Sequence, residues 1–292
     1  MRSDTMQKHQ TIDSVRKMVR TWKENGSRVG LVPTMGFLHE GHESLMRAAR
    51  KESDKVVVSI FVNPLQFGPS EDLDRYPRDL ERDLAICERN KVDAVFCPDV
   101  STMYPGDFYT SVGMKGLTGG LCGKSRPGHF TGVCTVVCKL FNIVGPDFAY
   151  FGQKDAQQLA IVRQMVTDLN IPVSIVGCPI VREPDGLAKS SRNTYLSPDE
   201  RKAALALSRA LRFAEQAVER GERDGKHLMD GMKSILEKEP LVRPEYIEIV
   251  DSENLRPLEI LGGNVLFALA AKVGSTRLID NTLLSLAPSH KK

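Results

Sequence analysis

The fold is decided by residues 28–62, which read RVGLVPTMGFLHEGHESLMRAARKESDKVVVSIFV. Two runs rich in β-branched residues, 28–33 and 55–62, predict buried strands. Between them, residues 43–52 carry apolar side chains at helical spacing. A strand, a helix and a further strand in this order indicate a parallel sheet covered by helices.

The same alternation continues along the chain. Further strands are predicted at 92–97, 148–151 and 173–180, and helices at 11–26, 80–90, 133–144 and 156–169. This pattern predicts a doubly wound α/β domain over residues 1–181. After residue 181, helices at 198–220 and 227–237 precede short strands at 246–250, 265–271 and 276–279. Residues 182–292 are therefore expected to form a smaller C-terminal α+β domain.

The composition is that of an ordinary globular protein, with 41% hydrophobic and 26% charged residues. A formal net charge of +3 with evenly mixed signs argues against nucleic acid as the main partner. The N-terminus lacks the apolar stretch of a secretory signal, and no apolar run is long enough for a membrane span. A cytoplasmic protein without a membrane partner is expected.

The six cysteines form no CxxC pair, which favours reduced thiols over disulfides. Cys134 and Cys138 have the spacing of two metal ligands on one helix face, but buried structural thiols are the preferred interpretation.

The segment from Met35 to His42 follows the predicted strand at 28–33 and leads into the predicted helix at 43–52. A helix N-terminus presents unpaired N–H groups and the positive end of the helix dipole, and Gly36 and Gly41 permit close approach of a phosphate. His39 and His42 can face the same phosphates and stabilise developing charge. The alternative is that the two histidines cap the helix or bind a metal.

Other polar residues follow further strands. Asn63 and Gln66 come after the strand at 55–62 and are placed to offer amide hydrogen bonds to a small polar acid, or else they only form the turn around Pro64.

Lys154, Asp155 and Gln158 lie where the strand at 148–151 runs into a helix. They suit phosphate, ribose and acid contacts respectively, or else are a surface lysine and a capping aspartate. Residues 189–192 place a lysine, two serines and an arginine in a loop suited to clamping a triphosphate.

These segments carry a family resemblance. The pattern His39-x-Gly41-His42 resembles the HxGH signature of nucleotidyltransferases, which have a Rossmann-like sheet. Three further motifs, at residues 63–67, 126–130 and 152–158, read NPLQF, RPGHF and GQKDAQQ, and resemble the pantothenate synthetase family, as does VGSTRLIDN at 273–281. The resemblance covers nearly the whole chain.

The resemblance implies an AMP-forming ligase that condenses pantoate with β-alanine through a pantoyl-adenylate, releasing pyrophosphate and AMP. It implies ATP with Mg²⁺ as cofactor, with no protein ligands assigned to the metal. It also implies a homodimer formed through the N-terminal domains and a C-terminal domain that acts as a lid. Implied ATP-binding residues are Met35, Gly36, Phe37, Leu38, His39, Glu40, Gly41, His42, Gly152, Gln153, Lys154, Asp155, Val181, Lys189, Ser190, Ser191 and Arg192. Implied catalytic residues are His42, His39 and Lys154. Gln66, Gln158 and Asn63 are expected to bind pantoate, and Gln66 also β-alanine.

Two positions depart from the family pattern. Lys189 stands where the family usually has Met, and Cys122 stands where it usually has Glu. Neither change removes a predicted ATP or pantoate ligand. Another adenylyltransferase and a catalytically inactive nucleotide sensor are the competing interpretations.

Overall fold

The structure is a computed structural model that describes residues 5–69 and 71–287. Its strands are β1 (Gln7–His9), β2 (Val29–Thr34), β3 (Lys55–Ile60), β4 (Ala94–Phe96), β5 (Phe148–Gly152), β6 (Ser174–Cys178), β7 (Val242–Asp251), β8 (Asn264–Val273) and β9 (Thr276–Ser285). Its helices are α1 (Ile12–Glu24), α2 (Glu40–Glu52), α3 (Leu80–Arg89), α4 (Val100–Met103), α5 (Leu121–Ser125), α6 (His129–Val144), α7 (Ala156–Asp168), α8 (Pro198–Glu219) and α9 (Gly225–Glu237). Short 3-10 helices cover Pro64–Gln66, Gln153–Asp155 and Ser191–Tyr195.

Six strands form one sheet in the order β1-β4-β3-β2-β5-β6, with parallel neighbours throughout. The predicted Rossmann-like doubly wound α/β fold is confirmed. The sequence pattern does not predict β1, because this three-residue edge strand is polar. α6 begins four residues earlier than predicted, because Gly128 adopts a left-handed conformation with φ of 83° at its N-cap.

The direction of the crossovers places the helices on both faces of this sheet. The chain moves towards one edge from β2 through β3 to β4, and towards the other edge from β4 to β5 and β6. Right-handed crossovers in opposite directions put their helices on opposite faces. Accordingly α2 and α3 share a buried cluster with β2, β3 and β4, whereas α1 and α6 pack on each other and on β2.

The C-terminal part of the chain forms the antiparallel sheet β7-β8-β9. The buried side chains of α8 and α9 pack against its inner face, including Leu207, Leu211 and Met232 against Phe267 and Leu269. The predicted α+β character is confirmed, and each strand is longer than its apolar run indicates because the hairpin pairing extends through polar residues.

The chain divides into two compact units. One contains residues up to Lys115, together with Arg126–Gln153 and Ile161–Pro179. The other contains Gly116–Ser125, Lys154–Ala160 and the residues from Ile180 onward. The predicted domain boundary after residue 181 stays a prediction. In the described ranges, no helix combines the length and apolarity needed to cross a membrane.

Candidate active site

The strand order of the parallel sheet reverses at the carboxyl ends of β2 and β5. β3 follows β2 on one side, whereas β5 pairs with β2 on its other side. Ligands of open α/β sheets bind at such a switch point, because the loops leaving the two strands diverge there. β2 leads into residues 35–39 and β5 leads into Gln153. The fold therefore brings two segments that are predicted to bind ATP to one edge of the sheet.

The turn after β2 is held by short hydrogen bonds. The Thr34 hydroxyl donates to the carbonyl oxygen of Ser59 at 2.7 Å and accepts from the N–H of Gly36 at 3.2 Å. Gly36 has φ of 83°, and a Cβ there would lie 3.0 Å from the Ile60 side chain. Any residue other than glycine would have a strained backbone at this position, and its Cβ would be crowded by Ile60.

Asp83 on α3 anchors the same turn, a role that the motifs do not predict. Its carboxylate accepts from the N–H groups of Phe37 and Leu38, both at 2.7 Å, and the residue is 1% exposed. Burial raises the pKa of Asp83, and the two N–H groups oppose that rise. A carboxylate three residues before the buried Ile86, on the apolar side of a helix, is the sequence signal that points to such a residue.

The two imidazoles cap the first turn of α2. Nδ1 of His39 accepts from the N–H of Gly41 at 3.1 Å, and Nδ1 of His42 accepts from the N–H of His39 at 3.2 Å. The ring centroids lie 4.1 Å apart. A nitrogen that accepts a hydrogen bond carries no proton, so each ring holds its proton on Nε2.

Helix capping and phosphate binding are therefore compatible functions of this pair. Nδ1 of each ring serves the helix, and Nε2–H is a donor suited to an anion at the N-terminus of α2. Leu38, by contrast, is fully buried and donates its N–H to Asp83, so its contact with a nucleotide stays a prediction, whereas Glu40 is exposed.

The side chain of Asn63 uses all its polar atoms inside the protein, and the residue is 1% exposed. Oδ1 accepts from the Tyr104 hydroxyl at 2.8 Å and from the N–H of Leu65 at 3.3 Å. Nδ2 donates to the carbonyl oxygen of Gly132 and to Oε1 of Gln66, both at 3.1 Å. This geometry favours a positioning function for Asn63, and its direct contact with pantoate stays a prediction.

The contact with Asn63 sets the orientation of the Gln66 amide. Oε1 accepts from Asn63, and Nε2 lies 3.1 Å from Sδ of Met35. A thioether is a weak acceptor, so an oxygen of a bound acid would be a stronger partner for this NH₂ group. Met35 and Gln66, predicted for different substrates, are thus in contact.

The RPGHF motif holds the backbone of Gln66. The Arg126 guanidinium donates to its carbonyl oxygen at 3.2 Å, and Nδ1 of His129 lies 2.7 Å from the same oxygen. Nη1 of Arg126 lies 3.0 Å from Nε2 of His129. Arginine can only donate, so Nε2 accepts and the proton of His129 is on Nδ1.

Glu71 completes this cluster. Its carboxylate receives two hydrogen bonds from Arg126, both at 2.6 Å, and one from the N–H of Gly68 at 3.1 Å. Burial alone would raise the pKa of Glu71, but the Arg126 pair and the Gly68 N–H outweigh burial and lower the pKa to about 2. The segment that carries Gln66 is therefore fixed by a charged pair that is largely removed from solvent.

A cavity of about 350 Å³ opens beside this site, at the carboxyl ends of β2, β3 and β4. Its lining is mainly apolar, with Met35 and Gly36 on one side and residues of the α3 N-terminus on the other. The cavity borders the predicted ATP-binding turn from the side of α3.

In the second compact unit, the predicted phosphate ligands lie in two segments. Lys154 is partly buried in the 3-10 helix Gln153–Asp155, and its carbonyl oxygen accepts from Nδ2 of Asn281 at 2.8 Å. Asp155 is exposed.

The second segment starts with Val181, whose carbonyl oxygen accepts from the N–H of Lys189 at 2.9 Å. The Lys189 ammonium forms an ion pair with Glu183 at 3.0 Å. Ser190 caps the 3-10 helix Ser191–Tyr195 by accepting from the N–H of Arg192 at 3.3 Å, and Ser191 is buried.

Gln157 is a further residue that the motifs do not single out. It is buried, and its amide donates to the carbonyl oxygens of Leu117 and Gly120 and accepts from the N–H of Gly123. These contacts tie residues 117–123 to the first turn of α7, where the partly buried Gln158 also lies. The adjacent position of two glutamines is the sequence signal, and the family motif includes only Gln158 as a substrate ligand.

The departure at Cys122 places a thiol beside the partly buried Arg277. Nη2 of Arg277 lies 3.5 Å from Sγ of Cys122, and the Tyr246 hydroxyl lies 3.2 Å from the same sulfur. Nε of Arg277 donates to Glu245 at 2.7 Å. Glu245 therefore supplies the negative partner of Arg277 in this chain.

The cysteines are free thiols, and burial raises the pKa of Cys134 to about 11. Within residues 5–69 and 71–287, no group of three His, Cys, Asp or Glu side chains is arranged to hold a metal ion. On α6, Cys134 is buried and Cys138 is partly exposed, and their structural role stays a prediction.

The chain is similar to known proteins along nearly all of its length. The model of the family described as Pantoate-beta-alanine ligase matches residues 7–283. The chain is 57% identical to a pantothenate synthetase of Heliobacterium modesticaldum over 94% of this chain and 99% of the relative. It is 54% identical to one of Clostridium botulinum over 94% and 98%.

Solved structures give the same result. A pantothenate synthetase from Thermus thermophilus superposes with a TM-score of 0.91 at 46% identity, covering 97% of this chain and 100% of that one. A pantoate-beta-alanine ligase from Francisella tularensis, complexed with beta-gamma ATP and β-alanine, superposes with a TM-score of 0.79 at 34% identity, covering 96% and 98%. The chain belongs to the pantoate–β-alanine ligase family.

Proposed function

We propose that this chain joins pantoate to β-alanine at the expense of ATP, in two half-reactions. The pantoate carboxylate attacks the α-phosphate of ATP and forms pantoyl-adenylate, and the P–O bond to pyrophosphate breaks. The neutral amine of β-alanine then attacks the acyl carbon, an amide forms, and AMP leaves. No residue forms a covalent bond to substrate, so catalysis consists of positioning and charge stabilisation.

The observation that carries this proposal is the double cap at the N-terminus of α2. Backbone N–H groups donate to Nδ1 of His39 and Nδ1 of His42, so the cap of α2 itself sets the Nε2–H tautomer of both rings. Two such donors beside a helix N-terminus are preorganised for the negative charge that grows on the leaving pyrophosphate. Lys154 and the segment Lys189 to Arg192 are proposed to bind the same phosphates.

Pantoate is proposed to bind at the Gln66 amide, with Gln158 as second amide. The amide of Asn63 makes its hydrogen bonds within the protein, so we propose that it acts by holding Oε1 of Gln66. This contact directs Nε2 of Gln66 towards the acid. The NH₂ group then donates to a pantoate oxygen. The same amide would contact β-alanine in the second half-reaction.

ATP is the nucleotide of this ligase family, and Mg²⁺ is proposed to accompany it. The described residues offer no cluster of three carboxylate, imidazole or thiolate ligands. A hard cation that keeps several waters fits such a site when the phosphates supply its anionic ligands. Bound there, Mg²⁺ would neutralise phosphate charge, while the chain's own contribution is the N–H donors and cations named above.

Three further features are proposed from family membership. The C-terminal domain, residues 182–292, acts as a lid that keeps water from the acyl-adenylate. The protein forms a homodimer through its N-terminal domains. It works in the cytoplasm on small molecules, without nucleic acid or membrane partners.

The reaction is tested by measuring pyrophosphate and AMP with each substrate omitted in turn. We expect pyrophosphate release, or exchange of labelled pyrophosphate into ATP, to require pantoate but not β-alanine. The release of AMP that accompanies amide formation should require both pantoate and β-alanine. An adenylyltransferase of other specificity would not need pantoate. A nucleotide sensor would bind ATP without pantoate-dependent exchange. Either result would refute the proposal.

Two substitutions of His42 separate capping from catalysis. His42→Asn keeps an acceptor at the Nδ1 position but lacks the Nε2 donor, whereas His42→Gln places an NH₂ group near Nε2 and loses the cap. We expect His42→Asn to fold normally and lose about 10²- to 10³-fold in kcat for adenylation. His42→Gln should be less stable yet retain more activity. The opposite ranking would exclude the proposed use of Nε2.

A further inference from the structure

Strand β9 carries two buried polar residues that the proposed reaction does not use. Asp280 is 2% exposed and Asn281 is 3% exposed. Polar groups are buried at a cost unless they are hydrogen-bonded. Their partners therefore indicate what they do.

Asn281 holds the backbone at Lys154. Its Nδ2 donates to the carbonyl oxygen of Lys154 at 2.8 Å, although 127 residues separate the two in sequence. Lys154 lies in the single turn between β5 and α7. A hydrogen bond from a buried strand restricts the direction in which the lysine side chain leaves the backbone.

Asp280 holds the other phosphate-binding segment through Arg182. Its carboxylate receives two hydrogen bonds from the Arg182 guanidinium, at 2.7 and 3.0 Å, and one from the N–H of Asn281 at 2.8 Å. Arg182 also donates to the carbonyl oxygens of Gly186, at 3.0 Å, and of Asn281, at 3.3 Å.

Arg182 in turn begins a small hairpin. It is bridged to Ala188, and the next residue, Glu183, donates from its N–H to the carbonyl oxygen of Leu187 at 2.8 Å. The hairpin ends directly before Lys189 and the two serines. The position of Arg182 therefore sets where the chain enters the proposed triphosphate clamp.

Burial raises the pKa of Asp280, and Arg182 is the main group that opposes this effect, with Lys154 also contributing. The carboxylate of Asp280 is thus paired with the arginine at the start of the 182–192 segment. A bidentate pair of this kind gives fixed geometry as well as attraction.

We infer that Asp280 and Asn281 are positioning residues that hold the Lys154 turn and the 182–192 segment in one fixed arrangement for the triphosphate of ATP. This inference rests on the proposed function. It predicts an effect confined to the half-reaction in which the triphosphate is bound and cleaved. A purely structural pair would instead lower stability and impair both half-reactions alike.

The test compares Asn281→Ala and Asp280→Asn with Thr276→Val, a buried control in the same strand. Adenylation is measured as pantoate-dependent exchange of pyrophosphate into ATP, and amide formation is measured with supplied pantoyl-adenylate and β-alanine. We expect Asn281→Ala to reduce kcat/KM for ATP in the exchange by about tenfold, the effect of losing one neutral hydrogen bond that positions the Lys154 backbone. Amide formation and the KM for pantoate should change less than about twofold.

Asp280→Asn keeps the shape of the side chain and should reduce exchange by more than Asn281→Ala, since the Arg182 guanidinium loses the carboxylate with which it pairs. Circular dichroism melting identifies any variant that fails to fold, and Asp280→Glu serves as the conservative variant expected to recover part of the exchange. Equal losses in both half-reactions, or losses no greater than those of Thr276→Val, would overturn the inference. Absence of pantoate-dependent exchange in the wild-type protein would instead overturn the proposed function.

Discussion

Replacing Glu71 with Gln removes the charge that holds Arg126 beside the backbone of Gln66. Burial raises the pKa of Glu71, but its hydrogen bonds and ion pair with Arg126 prevail and bring the value from 4.5 to about 2. That fall corresponds to about 3 kcal/mol of stability at pH 7. The side chain is 23% exposed, so solvent screening reduces this contribution only in part.

The pH dependence of this contribution follows from its sign. Because the folded pKa of Glu71 lies below the unfolded value, the stabilisation is fully present above pH 4.5 and is lost as the pH falls towards 2. About 1.4 kcal/mol of it is lost by roughly pH 3.5. The difference in unfolding free energy between the wild type and Glu71→Gln should therefore be smaller by that amount at pH 3.5 than at pH 7.

Urea unfolding followed by circular dichroism at the two pH values measures this difference. Glu237→Gln is the control, since that side chain is 56% exposed and should show no such change. In activity assays, Glu71→Gln should raise the KM for pantoate and leave the KM for ATP unchanged, because Arg126 contacts the Gln66 carbonyl. A stability difference that is equal at both pH values would refute the reasoning.

Two further substitutions test the backbone around the site. Alanine favours helices, but in Gly132→Ala the new Cβ would lie 2.1 Å from the carbonyl oxygen of Leu65. This substitution should therefore destabilise the protein by about 1–3 kcal/mol in urea unfolding and raise the KM for pantoate. Unchanged stability would contradict this expectation. Asp83→Asn replaces one carboxylate oxygen by an NH₂ group opposite two N–H groups. The free energy of unfolding should fall by about 1–3 kcal/mol and the KM for ATP should rise. An unaltered KM for ATP would exclude Asp83 as the anchor of the turn.

Short-range patterns in the sequence predicted most of the elements. Runs rich in β-branched or aromatic residues predicted β2, β3, β4, β5 and β6. Most residues of β2 to β5 are buried, because strands covered on both faces need a nearly continuous apolar run. β1 lacks such a run and exists through its pairing with β4. The first residues of α2 and α6 are set by the N-cap residues His39 and Gly128. Apolar periodicity does not encode the conformations of these two residues.

The candidate site was predicted in part. The motifs indicated His39, His42, Gln66 and Lys154, because a glycine-rich strand-to-helix turn and polar residues after a strand have recognisable local spacing. For Asp83 the sequence signal is only a carboxylate on the apolar side of a helix, because the two N–H groups that it binds lie 46 and 45 positions away.

By itself, the sequence determined which chemical groups stand at the carboxyl ends of the strands, since alternation of elements and local motifs depend on neighbouring residues alone. The tertiary structure decided which atoms of those groups can act. It assigned the ring proton of each histidine to Nε2 and committed the Asn63 amide to Tyr104 and Gly132. For Asn63 the physical reason is that these partners lie 41 and 69 residues away and meet it only when the chain has folded.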